Sequence, residues 1–320
     1  MKGKRIAGVD CSAPAEEMIR HVLRTQVAAM CAVRKKALNW SDPEGVHDMR
    51  VLSRRLRSAI ADFEPYLHKT RLPPAKLRAI ARSLGDVRDE DVALAALEKL
   101  KIETHGAVTL GFETLIDERR TRRDKARADL QKAIRRSAIA ELIEEFESRL
   151  APPDFSPEES GFPTAVVTQP TFRSVGVRVI NSRLKEFRAA GTHIFFPAEN
   201  KELHELRILA KGLRYAIELL AVCWGEEMRL IAKEVALLQT SLGELHDCDV
   251  WIAELGARLK RVARHDPTDP EHVRINAACT WLLRHFARVR TEHYRDALGR
   301  WQQWQADGFL NGLRALIGST

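Results

Sequence analysis

The chain has 320 residues, 52 Lys plus Arg against 44 Asp plus Glu, and a net charge of +8. With 45% apolar and 30% charged residues it has the make-up of a folded globule, which excludes wholesale disorder. No run of eighteen apolar residues occurs, so a membrane span is excluded, and the N-terminus lacks an apolar segment long enough for a secretory signal.

Taken in chain order, apolar residues at helical spacing predict helices near 14–38, 44–66, 73–103 and 107–149, the last with a break near Ser137. The Ser41-Asp42-Pro43-Glu44 stretch supplies a cap and a proline start for the second helix, and Pro73-Pro74 separates it from the third. Leu150–Thr164, LAPPDFSPEESGFPT, has four prolines and reads as a linker. Further helices follow near 167–190, 200–222, 226–262 and 270–302, with a short one near 307–317. Only Ala165–Thr168 and His193–Phe196 look β-like. The fold class is all-α: residues 1–150 form one four-helix half, 151–164 the linker and 165–320 the other half.

The chain is written twice. VHDMRVLSRRLRSAI at Val46–Ile60 returns as LHELRILAKGLRYAI at Leu203–Ile217, and LGDVRDEDV at Leu84–Val92 returns as LGELHDCDV at Leu242–Val250. Two motifs in one order at almost one offset indicate duplication of a helical unit. A weaker third match aligns Arg120, Arg122 and Arg127 with Arg288, Arg290 and Arg295.

At 100° per residue, His47, Arg50, Arg54 and Arg57 fall within an arc of about 80°, a row about 15 Å long. Val46, Met49, Leu52, Leu56 and Ile60 occupy the adjacent arc. In the second copy His204, Arg207, Lys211 and Arg214 form the stripe, beside Leu203, Leu206, Leu209, Leu213 and Ile217. Aligned cations repel one another unless something negative compensates, and the Arg fork suits phosphate oxygens. A charged helix face is usually just solvated or internally paired; retention of the stripe in both copies favours a binding surface. Asp89 and Asp247 occupy equivalent places and are candidates to orient an Arg of each stripe.

These paired segments resemble the CHAD family, the conserved histidine α-helical domain, over about residues 14–302. The resemblance implies two four-helix bundles related by pseudo-twofold symmetry with a basic cavity between them. It also implies binding of inorganic polyphosphate and association with polyphosphate granules. The family's basic positions fall on His47, Arg50, Arg54, Arg57, His204, Arg207, Lys211 and Arg214. Lys36, Arg55, Arg88, Arg120, Arg183 and Arg288 are additional candidates for the same cavity. Where the first copy has Arg55 and Arg88, the second has Gly212 and His246. Members are commonly fused to a CYTH triphosphatase domain, whose ExExK-type signature is absent here, so the chain reads as a stand-alone member.

Two rival readings stand beside this one. Asp86, Asp89, Asp91, His246, Asp247 and Asp249 prompt a metal-dependent phosphohydrolase, which would need further ligands converging from other helices. Nucleic acid shares the phosphate backbone, yet the stripes offer no aromatic for base stacking except Tyr215. No nucleophile arrangement or glycine-rich phosphate loop stands out, so a binding protein without cofactor or metal is expected rather than an enzyme. Five cysteines, odd in number and without a CxxC, read as reduced thiols in a cytoplasmic protein.

Overall fold

The computed structural model describes residues 6–67, 70, 72–152, 169–264, 266 and 268–318. The first part of the chain forms α1 (Ala15–Ala32), α2 (Arg34–Ala37), α3 (Pro43–Phe63), α4 (Pro74–Lys101), α5 (Ala107–Ala133) and α6 (Arg136–Arg149). The second forms α7 (Phe172–Ala190), α8 (Asn200–Leu220), α9 (Glu226–Val262), α10 (Pro270–Ala306) and α11 (Phe309–Gly318). Among the described residues there is no strand, and one isolated bridge pairs Pro14 with Thr171. No described helix is long and apolar enough to cross a membrane.

Local chemistry accounts for several helix ends. The Asp42 carboxylate accepts from the Glu44 amide at 3.0 Å, with Pro43 as the first residue of α3. Asp269 and Pro270 repeat the device at α10. The helix expected over 107–149 breaks at Ile134–Arg135, close to the anticipated position, and the expected first helix breaks at Val33. One expectation is corrected: His193–Phe196 is not β-like. Gly191–Phe195 is a 3₁₀ turn that buries Ile194, whose carbonyl accepts from the Tyr294 hydroxyl at 2.9 Å. Ala165–Thr168 and most of the proline-rich linker lie outside the described residues.

Neighbouring helices pack in the same succession in both halves: α1, α3, α4, α5 and α7, α8, α9, α10. The halves meet through α3 against α8 and through α5 against α10. Neither half has a core to itself. The larger cluster includes Met49, Leu56 and Phe63 from the first half and Phe172, Leu213 and Trp301 from the second. A smaller cluster gathers the end of α4 and start of α5 with the end of α9 and start of α10, around Phe112, Leu255 and Leu282. Beside it, Arg258 holds Glu118 by two hydrogen bonds of 2.5 Å. Arg119 reaches Glu90 and Glu254 while lying 4.9 Å over the Trp251 ring.

The thiol reading is corrected for two of the five cysteines. Cys11 and Cys223 form a disulfide with Cα atoms 5.6 Å apart, joining the N-terminal segment to the end of α8. Their sequence separation of 212 residues gave no pairing signal. Cys31, Cys248 and Cys279 are free, and burial pushes their thiols up to about 11, 12 and 11.

The crossing of α5 and α10 rests on a missing side chain. A Cβ at Gly111 would stand 2.2 Å from the Arg274 carbonyl oxygen and 2.7 Å from the Ala278 Cβ. Gly111→Ala is therefore expected to destabilise the fold by about 1–3 kcal/mol, because backbone cannot yield as a side chain can. Gly256→Ala in α9, where nothing lies within 4 Å of the added carbon, is expected to stabilise it by up to about 1 kcal/mol. Denaturant unfolding of both variants checks the opposite signs.

Candidate functional site

The apolar arcs of α3 and α8 seat the stripes. Val46, Met49, Leu56 and Ile60 are buried on α3, and Leu203, Leu206, Leu213 and Ile217 on α8. That leaves the adjacent arc of each helix half-buried at the line where α3 meets α8.

Two arginines tie the stripes to the following helices in the same manner. Arg50 Nη1 donates to the Gly85 carbonyl at 2.9 Å and to Asp89 at 2.7 Å. Arg207 Nη2 lies 3.9 Å from Asp247, its Nε beside Gly243. The glycine and second acid of each LG(D/E) motif thus lie beside one arginine of the preceding stripe.

The stripes interact with one another. Arg54 is held below the ordinary guanidinium range, first by burial and then by Arg50, Arg207 and Arg214, with Tyr215 acting in the opposite sense. Burial, followed by Arg207, Arg54, Arg50 and Arg214, pushes the Lys211 amine down to about 7. Among the described residues neither Arg54 nor Lys211 has a carboxylate within ion-pair distance. Arg54 Nε, Arg207 Nε, Arg214 Nε and His204 Nδ1 are buried without a hydrogen-bond partner. Buried Nε atoms without a hydrogen-bond partner also occur elsewhere among the described residues, at Arg173 and Arg300 for example.

The histidines lie beside these cations. Burial and then Arg88 lower His47, while burial, Arg207 and Lys211 lower His204. The His246 ring packs on His204 with centroids 3.9 Å apart. Burial together with His204, Arg207 and Lys211 pushes His246 down to about 4. Arg88 and His246 are the same position of the repeat, and each acts on the histidine of its own stripe. His246 is the neighbour that sequence reasoning left without a role; its occupancy of a repeated position was the available signal.

Other candidates are placed elsewhere. Arg57 is exposed. Lys36 pairs with Asp48 at 2.9 Å and lies 3.8 Å from Asp42. Arg55 bonds Glu218 at 2.6 Å, and Arg183 bonds Asp62 at 2.7 Å and reaches Glu186. Arg183 also lies over Gly212, the residue standing where the first copy has Arg55. Arg120 and Arg288 are not brought to the stripes: Arg120 pairs with Glu98 and Asp117, and Arg288 with Glu292 of its own helix.

The weak third match is out of register. Arg127 pairs with Asp91 at 3.3 Å, and Arg290 rather than Arg295 pairs with the corresponding Asp249 at 2.5 Å. These pairs also engage the acids that prompted the metal reading. Among the described residues no group of three or more His, Cys, Asp or Glu side chains is placed to hold a metal ion. Tyr215 is buried, with the Arg214 and Arg55 guanidinium groups 4.9 Å and 5.9 Å from its ring, so it offers no face for a base.

Comparison with known proteins follows this geometry. The CHAD domain profile matches residues 21–256. A crystal structure described as the CHAD domain from the plant Ricinus communis superposes with a TM-score of 0.64 at 20% identity, covering 99% of this chain and 96% of that one. PptA from Streptomyces chartreusis superposes with a TM-score of 0.61 at 15% identity, covering 91% and 100%. At these identities the likeness is one of fold. No match is found among curated proteins.

Lys211 is expected to titrate near neutrality in the free protein. Reductive ¹³C-methylation followed by NMR should show one lysine signal moving around pH 7, far below the free-lysine value of about 10. The signal should vanish in Lys211→Met. A Lys211 signal moving with the others would remove the like-charge burial described for it.

Proposed function

The chain belongs to the CHAD domain family, and we propose that it binds inorganic polyphosphate along the stripes of α3 and α8. In this reading the two bundles of the duplicated chain are related by a pseudo-twofold axis near the α3–α8 contact. The stripes face each other across it and line a basic cavity. Arg54 and Lys211 supply uncompensated charge, Arg50 and Arg207 are aimed by Asp89 and Asp247, and the histidines add donors. A linear chain of phosphates meets several cations at once, and the guanidinium forks can donate to its oxygens. The observation that carries the reading is the convergence of Arg50, Arg54, Arg207, Lys211 and Arg214 from two repeated helices, two of the five having no carboxylate partner among the described residues.

The role is binding rather than catalysis, with polyphosphate as partner and no cofactor. Residence in the cytoplasm, on polyphosphate granules, belongs to the same proposal, although a disulfide is uncommon in a reducing compartment.

Titration of the protein with long-chain polyphosphate at two salt concentrations tests this, with orthophosphate, heparin and duplex DNA as comparators. Affinity should fall steeply with salt. By analogy with single-stranded nucleic acid, about five contacts give a log–log slope of roughly −3 to −4. The double change Arg54→Gln, Lys211→Gln should weaken binding by about tenfold or more and raise the melting temperature, since it removes two buried cations that repel their neighbours. Equal affinity for every comparator, or binding unmoved by the double change, would overturn the proposal.

The pH dependence has a defined sign. Phosphate contact favours charged Lys211, so its pKa is higher in the complex than the value of about 7 in the free protein. Affinity should therefore decline as pH rises above 7, and Lys211→Arg should flatten that decline because guanidinium stays charged. His47 and His204, both lowered in the free protein by burial and neighbouring cations, add a further gain on acidification, because phosphate contact favours their protonated form.

A further inference from the structure

One residue along α3 from Arg54, the side chain of Arg55 borders a space of different chemistry. A cavity of about 480 Å³ lies between α1, α3, the end of α8 and the segment Ile6–Val9. Its volume is within the roughly 300–1,000 Å³ of small-molecule sites. The walls are mainly apolar, with Val22, Leu52, Leu219 and Val222 among them. Ile6, Ala7 and Val9 form one side. That segment is held by a His21 contact to the Ala7 carbonyl at 2.8 Å and by the Cys11–Cys223 disulfide just beyond it.

The charged groups at the walls are already matched. Arg55 bonds Glu218, Asp62 bonds Arg183, and Arg229 bonds Glu226. An anion entering would meet Glu218 and Asp62, and a cation would meet Arg55 and Arg229, so the lining selects against net charge of either sign. Thr25, Gln26 and Ser58 add uncharged polar side chains to the lining. A ligand that fits has an apolar body and an uncharged polar end that can lie beside Thr25, Gln26 and Ser58.

We infer that this cavity is a binding site for an uncharged, largely apolar small molecule bearing a hydroxyl or amide group, separate from the polyanion site on the stripes. The Ile6–Val9 segment forms its cover, and the disulfide pins that cover to the end of α8. The site does not depend on the polyphosphate reading, because its walls share none of the eight stripe residues.

N-Phenyl-1-naphthylamine, an uncharged apolar fluorophore with one N–H, is a suitable probe for the full-length protein. Its fluorescence should rise to saturation at about one probe per chain, while its sulfonated analogue 1-anilinonaphthalene-8-sulfonate should not compete for that site. Ala29→Trp from the α1 side and Val222→Trp from the α8 side should each reduce affinity by about tenfold or more by filling the space. Both should leave polyphosphate binding unchanged. Saturating polyphosphate should not displace the probe from the unmodified protein, a measurement that needs no variant to fold. Absence of saturable binding, displacement by polyphosphate, or full affinity in both tryptophan variants would overturn the inference.

Discussion

Mutual repulsion among cations half-buried between α3 and α8 is the constraint around which the molecule is organised. Burial, with Arg50, Arg207 and Arg214 beside them, depresses the protonation of Arg54 and Lys211, most visibly at Lys211. Such a cluster persists in a folded protein only if the helices bearing it are held by something stronger. Here that is the apolar arc of each helix, locked into a core shared by both halves, together with Asp89, Asp247 and Glu218, which meet three of the five cations. The compensation is partial. A fold that leaves Arg54 and Lys211 without an acid among the described residues carries a standing electrostatic cost, which a bound polyanion would relieve.

Duplication explains how the charge is assembled, and divergence explains how the halves are joined. Each copy supplies the same stripe and the same glycine and acid to receive its first arginine. The positions that differ are put to other uses. Arg55 reaches Glu218 in the opposite half; its counterpart is Gly212, over which Arg183 passes to meet Asp62. Arg88 repels His47, whereas His246 stacks on His204. The repeated residues form the stripes, and Arg55 and Arg183 form ion pairs that cross between halves and border the apolar cavity. The disulfide adds a further asymmetric tie, from the N-terminal segment to the end of α8.

The second motif illustrates how carboxylates can look like ligands and act as supports. Asp89, Asp91, Asp247 and Asp249 each meet an arginine: Arg50, Arg127, Arg207 and Arg290. An acid committed to an arginine is poorly available to a metal, and the spacing of the four follows the needs of helix-to-helix pairing. The same acids steer Arg50 and Arg207, so their placement serves the stripes.

The sequence by itself determined the helices, their near boundaries, the duplication and the composition of both stripes. Those properties follow from short-range periodicity: residues three or four apart share a helix face whatever the rest of the chain does. It also placed Asp89 and Asp247 opposite the stripes, because the two copies could be compared. Tertiary structure decided which cations meet. That Arg54 faces Arg207 and Arg214, that Arg120 and Arg288 stand apart, and that Arg290 replaces Arg295 as the equivalent of Arg127 all depend on how helices distant in sequence are rotated and translated against each other. The Cys11–Cys223 bond and the apolar cavity beside it were illegible for the same reason. Contacts between residues some two hundred positions apart are fixed by the packing of shared cores, and periodicity along one helix contains no information about its partner.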